Sequence, residues 1–225
     1  MGSDFQDPSG FGEQPHEGLT LPPWEERQRY GFLNALYLTI KDALLAPAPF
    51  FKRMPTRIGI IQPLLFALVV GVIGSFFEWM WSLTGSSLQM FVAEDVSDVL
   101  EGPLMFGLLF VLSPAITCVH VFVGAGIIHL CLMLVGGNRL GFEATFRVVA
   151  YAMAASLLLI VPVCGSLLFP IWSLVVMVIG LHKIHDIEPW RAIIAVLLPL
   201  LLCSLSCALT GWAFVGLFHM NHLFP

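Results

Sequence analysis

"VVAYAMAASLLLIVPVCGSLLFPIWSLVVMVIGL", residues 148–181, contains no charged side chain. A single helix of ~34 residues would be ~51 Å long, against a hydrocarbon core of ~30 Å. That is too long for one span and enough for two. Pro162, Gly165 and Pro170 supply a break. The block is therefore split into two spans, roughly 147–164 and 167–182. Three other apolar blocks, near 58–83, 104–135 and 190–218, bring the total to five.

Composition agrees with a membrane protein. The chain has 225 residues, 58% hydrophobic and 11% charged, where soluble domains carry ~25% charged residues. No basic surface remains that would suit nucleic acid. Residues 1–23 carry Asp4, Asp7, Glu13 and Glu17, no Lys or Arg, and no apolar stretch of signal-peptide type. They are expected to form a disordered, solvated acidic tail. Cys118, Cys131, Cys164, Cys203 and Cys207 all fall in apolar runs without zinc-finger spacing, so packing is their expected role.

Charge fixes an expected orientation. With the N-terminus cytoplasmic, the inside segments are 1–57, 136–147 and 182–191, and they hold all 10 Lys and Arg. The outside loop 84–103 holds Glu94, Asp95, Asp98 and Glu101 instead. This is the asymmetry of the positive-inside rule. It requires an odd number of spans and puts residues 219–225 outside. The second block exceeds one bilayer crossing and carries Pro114. One tilted, projecting helix and a half-helix followed by a span both remain open.

The segment 24–57 precedes the spans. Tyr30, Leu33, Tyr37, Ile40 and Leu44 recur at helical spacing, with Glu26, Arg27, Asn34, Lys41 and Asp42 between them. "PAPFFKRMP" follows. Two positions fit this pattern: an amphipathic interfacial helix on the cytoplasmic leaflet, or a helix packed on the ends of the spans.

Polar residues near the spans are weighed singly. His182, Lys183 and His185 end the fourth span, where exposed carbonyls suit them. Asp186 is expected to N-cap the next helix, with Glu188 in its first turn, Pro189 tolerated there, and Trp190 and Arg191 as interface anchors. His182 and His185 have metal-like spacing, but no third ligand is placed to join them, so capping is preferred. Glu78, beside Trp79 and Trp81, fits an interfacial carboxylate in an aromatic belt. His120 and His129 lie deeper, nine residues apart in sequence and therefore on opposite helix faces. For His129 a hydrogen bond to a neighbouring helix is preferred to proton handling. Glu143 and Arg147 have the order and spacing of an ordinary helix pair.

Catalytic signatures are missing. The chain has no H-E-x-x-H, nucleophile elbow or P-loop. "EERQR" lacks the arginine of the E-E-x-x-x-R element, because Tyr30 stands there, and the segment lies outside the spans.

"HLCLMLVGGNRLGFEATFRVVAYA" (129–152), "VPVCG" (161–165), "IWSLVVMVIGLHKIHDI" (171–187) and "RAIIAVLLP" (191–199) follow one another in a specific order. In them the chain resembles the bacterial branch of the Yip domain family, membrane proteins named for interaction with Ypt/Rab GTPases. The matching positions are His129, Gly136, Gly137, Phe142, Phe146, Tyr151, Pro162, Gly165, Trp172, Gly180, His185, Arg191 and Pro199. "PAPFFKRM" resembles the segment before the first span, and coverage is roughly 44–205. The resemblance implies five spans, a cytoplasmic N-terminus and no enzyme activity. Eukaryotic relatives act in membrane traffic and bind prenylated GTPases. Their D-L-Y-G-P element is matched here only by "LEGPL" at 100–104.

The expected architecture is an all-α integral membrane protein of five transmembrane helices preceded by an amphipathic interfacial helix. Its parts are a tail at 1–23, a juxtamembrane segment at 24–57, a membrane domain at 58–218 and an outside tail at 219–225. The expected function is non-enzymatic: organising the bilayer of the cytoplasmic (inner) membrane or scaffolding partners. The alternative is a small permease or channel for an ion, lipid or apolar solute, suggested by Pro114, Pro162, Pro170 and Pro199 in the spans. Membrane lipids are the expected partners, with membrane proteins or further copies of the chain. No cofactor and no metal is expected.

Overall fold

The computed structural model describes residues 18–89 and 96–223, and they are predominantly helical, with no strand among them. A 3₁₀ turn, Pro23–Glu26, leads into the single turn α1 (Arg27–Tyr30), α2 (Phe32–Leu45) and α3 (Pro47–Lys52). Then come α4 (Ile61–Gln89), α5 (Val96–Leu134), α6 (Phe142–Ala152) with a 3₁₀ continuation (Met153–Ile160), α7 (Cys164–Ile184) and α8 (Pro189–Leu223). Five stretches are long and apolar enough to cross a membrane: Ile61–Thr84, Pro103–Leu134, Phe142–Ile160, Cys164–Ile184 and Pro189–Thr210. The protein is a multi-pass membrane protein preceded by an N-terminal helix.

Several boundaries differ from the sequence expectation. The second block is one continuous helix of 39 residues, with Pro103 and Pro114 inside it. The 148–181 block breaks once, after Ile160, where Pro162 lies in the turn and Val163 takes φ 63°. Pro170 does not contribute to the break and sits inside α7, as Pro199 does in α8. The third span begins at Phe142, five residues before the expected ~147. Helix α8 continues to Leu223, through most of the expected tail. Residues 1–17 of the acidic tail and 90–95 of the acidic loop lie outside the described residues. Residues just before 24 already meet the bundle, since the Thr20 N–H donates to the Arg53 carbonyl at 2.8 Å.

The third span is the core. Of its most apolar window 78% is buried, against 17–28% for the other four. It touches α4, α5 and α7 directly, while α8 packs on α5 and α7. At the end of the bundle that carries Arg139, Arg147, Lys183 and Arg191, here the basic end, the N-terminal segment closes the space between α4 and α7. Trp24 packs edge-on to Phe66 of α4 at 5.8 Å, and its Nε1 donates to the Gln62 carbonyl at 2.9 Å. Phe51 of α3 lies against Gly180 of α7, where an added Cβ would meet the Phe51 ring at 3.0 Å.

Helix α2 buries the expected stripe only in part, through Ile40 and Leu44. It packs through Ala35, Leu36, Thr39 and Ala43, while Leu33 and Tyr37 stay exposed at 76% and 62%. Ala35, Thr39 and Ala43 are small residues four apart, which lets a helix approach its neighbours closely. Hydrophobicity ranking overlooks such a face because each residue in it contributes little apolar area.

Gly165 tests the turn between the last two crossings of the split block. A Cβ there would overlap the Leu158 carbonyl oxygen and lie 2.9 Å from Leu159 Cα, both backbone atoms that cannot swing away. Gly126 in α5 has nothing within 4 Å. Thermal unfolding of the detergent-solubilised protein should show Gly165→Ala destabilised by ~1–3 kcal/mol. Gly126→Ala should be neutral or stabilising, because alanine is the better helix former. Equal effects would refute the close-packed turn.

Candidate functional site

Arg147 lies in the third span and is 0% exposed. A guanidinium at that depth requires an anion. Glu143, the helical neighbour expected to pair with it, is engaged elsewhere. The Glu143 carboxylate accepts the backbone N–H groups of Ile58 and Gly59 at 2.8 and 2.6 Å. Arg147 instead pairs with Glu25, whose carboxylate also accepts the Tyr151 hydroxyl, and its Nη1 donates to the Gly59 carbonyl at 3.0 Å. The ordinary helix pair is thus corrected. Glu143 and Arg147 both hold the turn before α4, and Arg147 additionally anchors the N-terminal segment. Gly59 suits that turn because its φ is 99°.

The N-terminal segment is seated by more than the ion pair. The Trp24 N–H donates to Thr39 Oγ1 at 2.8 Å, and Arg27 Nη2 to Gln62 Oε1 at 2.6 Å. The Arg27 guanidinium lies 4.3 Å over the Trp24 ring. Tyr151 carries the seat into the core, packing on Phe50 and Phe66 at 5.3 and 5.1 Å.

A second polar cluster joins the two loops of the basic end. After α5, Gly136 takes φ 65°, and the Gly137 N–H returns to the Leu132 carbonyl at 2.8 Å, a Schellman closure. Helix α7 ends in the same way with Asp186 at φ 48° and the Ile187 N–H on the His182 carbonyl. Asp186 therefore terminates α7 and does not cap α8; aspartate is among the few side chains that tolerate this backbone. Glu188 precedes Pro189 and accepts the Trp190 indole N–H. The loops are tied by Arg191 Nη1 to the Gly136 carbonyl at 2.9 Å and Arg139 Nη1 to the Asp186 carbonyl at 2.7 Å.

His185 ends α7, as its position in the sequence suggested, and is 1% exposed. Its Nδ1 accepts the Leu140 N–H at 3.3 Å, so a neutral ring carries its proton on Nε2, 3.2 Å from Thr145 Oγ1. The threonine hydroxyl is then free to donate to His129 Nδ1 at 3.1 Å. His182 instead meets the Ile187 carbonyl. The two histidines that shared metal-like spacing thus face different partners, and among the described residues no three His, Cys, Asp or Glu converge. Burial, and secondly the neighbouring His129, push the His185 pKa down to about 4.

Most of the residues singled out in sequence meet at this end. Phe142 packs edge-on to His129 and beside Phe146, which touches Phe122. Tyr151 lies on the Arg147 side. Pro162, Gly165 and Pro199 lie away from the site. Trp172 stands apart, its Nε1 donating to the Leu44 carbonyl at 3.2 Å. Sequence reasoning missed Trp24, Glu25, Thr39 and Thr145. The available signal was Arg147 itself, an intramembrane charge whose partner had to be a carboxylate.

The family model of the Yip1 domain matches residues 41–210, and the chain belongs to that family. No curated protein and no solved structure matches it. Family membership and five spans fit a non-enzymatic multi-pass membrane protein.

Two measurements test the site. Arg147→Met or Glu25→Gln leaves a buried charge unpaired and should cost ~3–5 kcal/mol. The double variant should cost less than the sum, and each single variant should release residues 1–30 to protease. Additive costs would dissolve the pair. The His185 pKa is lowered on folding from the ordinary value near 6.5 to about 4. Its contribution is therefore complete above pH ~6.5 and lost as pH falls toward 4, by at most ~3 kcal/mol. Melting at pH 7.5 and 4.5 should show this slope, flattened in His185→Gln.

Proposed function

We propose that the protein is a non-enzymatic organiser of the cytoplasmic membrane, acting through its N-terminal helix pair as a wedge or partner platform in one leaflet. The basic end faces the cytoplasm, since it gathers the Lys and Arg residues, and the C-terminus faces outside. The observation that carries the proposal is the contact between Trp172 and Leu44. Trp172 stands twelve residues, ~18 Å, from the basic end of α7 at Ile184. The C-terminal end of α2 thus reaches α7, and the short α3, started by Pro47 and bearing Phe51, packs on α7 back toward its basic end. Leu33, Tyr37 and Leu45 form the outward apolar face of α2. Helical cross-section is added to one leaflet without spanning the other, which favours a membrane convex on that side.

A permease is less well supported. Its sequence argument was proline-broken spans, yet Pro114, Pro170 and Pro199 lie inside continuous helices.

Topology is tested first, in a background without native cysteines. An impermeant thiol reagent on intact cells should label a cysteine at Ser97 and spare one at Arg139. The reverse pattern would invert the proposal. For the wedge, the full chain in membrane tethers drawn from giant vesicles should favour the curved tether when its N-terminus is on the convex side. Leu33→Ala, Tyr37→Ala and Leu45→Ala together should remove the preference while leaving melting unchanged. Sorting that ignores orientation, or survives the triple variant, would refute it.

A further inference from the structure

Two cavities open between α4, α5, the 3₁₀ segment and α7, in the half of the membrane away from the basic end. One has a volume of ≈ 170 Å³ and the other ≈ 230 Å³; both are lined by Glu78 and Leu159. Glu78 lies six residues, ~9 Å, inside the end of its span at Thr84. Its side chain is exposed at the bundle flank, and among the described residues it has no hydrogen-bond or ion-pair partner.

Helix periodicity arranges the walls. On α4, Gly71, Ser75, Glu78 and Ser82 follow at steps of four, three and four, forming one polar row. In the 3₁₀ segment side chains three apart eclipse, and Met153, Ser156 and Leu159 line the inner cavity at that spacing. Thr117 and His120 of α5 face the same space. The walls meet tightly beneath, since a Cβ on Gly71 would come within 2.6 Å of Thr117 Oγ1. The result is a cleft leading from Ser82 and Ser166 at the outer edge, past the carboxylate, to hydroxyl groups deeper in.

Charge selects the occupant. A carboxylate in a span needs a counter-cation, and this chain places no Lys or Arg near it. No Lys or Arg occurs in 58–138 or 148–182, and Arg147 at the opposite end is held by Glu25. The cation must come from outside the chain, and the flank opening faces lipid. We infer that the cleft binds a lipid whose headgroup bears a primary ammonium, with Glu78 taking its charge and Ser75, Thr117 and the His120 ring offering acceptors for its N–H groups. Anionic headgroups are repelled by Glu78. A quaternary ammonium has the charge but no N–H to donate. Phe106, Val161 and Val163 leave an apolar outer wall for the remainder of the lipid. The site is independent of the wedge at the basic end.

The full chain is reconstituted in nanodiscs of phosphatidylcholine, with or without phosphatidylethanolamine. A membrane-permeant carbodiimide, which attacks carboxyl groups within membranes, is scored by mass spectrometry at Glu78. Phosphatidylethanolamine should slow modification at least about tenfold, the scale of one hydrogen bond to a charged group. Soluble ethanolamine added to phosphatidylcholine discs should not. Equal modification in both lipids overturns the inference, and equal protection by soluble ethanolamine overturns the lipid source. Glu78→Gln should abolish preferential copurification of phosphatidylethanolamine over phosphatidylcholine, and Thr117→Val, which keeps shape and charge, should weaken it. Undiminished preference in both variants also refutes the assignment.

Discussion

A buried guanidinium cannot be left without an anion, and much of the basic end follows from how Arg147 meets that demand. Its partner comes from Glu25, more than a hundred residues earlier, so the ion pair fixes where the N-terminal segment must lie. Trp24 is then placed on α4, α2 is brought against the third span, and the Gly59 carbonyl is claimed by the same guanidinium. Such pairs add little net stability over apolar packing, because desolvation offsets attraction. What they impose is register: any other placement of residues 20–30 strands a charge in a low-dielectric core.

Glu143 shows why the pairing could not be found by spacing alone. It stands four residues before Arg147 in the favourable order, yet one helical turn separates two tasks. At the surface Glu143 accepts two backbone N–H groups, and deeper in Arg147 needs a carboxylate with no water to compete. Exposed helix pairs are worth only a few tenths of a kcal/mol, so a buried alternative displaces them readily.

The spans were legible because apolar length and the one-sided distribution of Lys and Arg are global signals, insensitive to side-chain detail. The double crossing of 148–181 was legible because length alone excluded one helix. What stayed hidden was pairwise. Ala35, Thr39 and Ala43 carry too little area to register as a buried face. Asp186 looked like a cap because aspartate suits both an N-cap and a left-handed backbone, and only the path of the chain distinguishes them. Nothing in the sequence signalled that His185 would be buried against Thr145 and Leu140.

The third span also explains why the two ends of the bundle differ. It has only 19 residues, ~28 Å as an α-helix, slightly short of a ~30 Å core. Eight of them adopt 3₁₀ geometry at ~2.0 Å per residue, which lengthens the crossing to ~32 Å. That stretch lies in the half away from Arg147. The tighter winding eclipses every third side chain, and this stretch packs on α4 and α7, whereas α6 packs on α5 as well. Space opens beside it, and the row of Met153, Ser156 and Leu159 becomes a cavity wall opposite Glu78. The same departure from α geometry that lets a short central helix reach across the membrane thereby lines the cavities in the half away from Arg147.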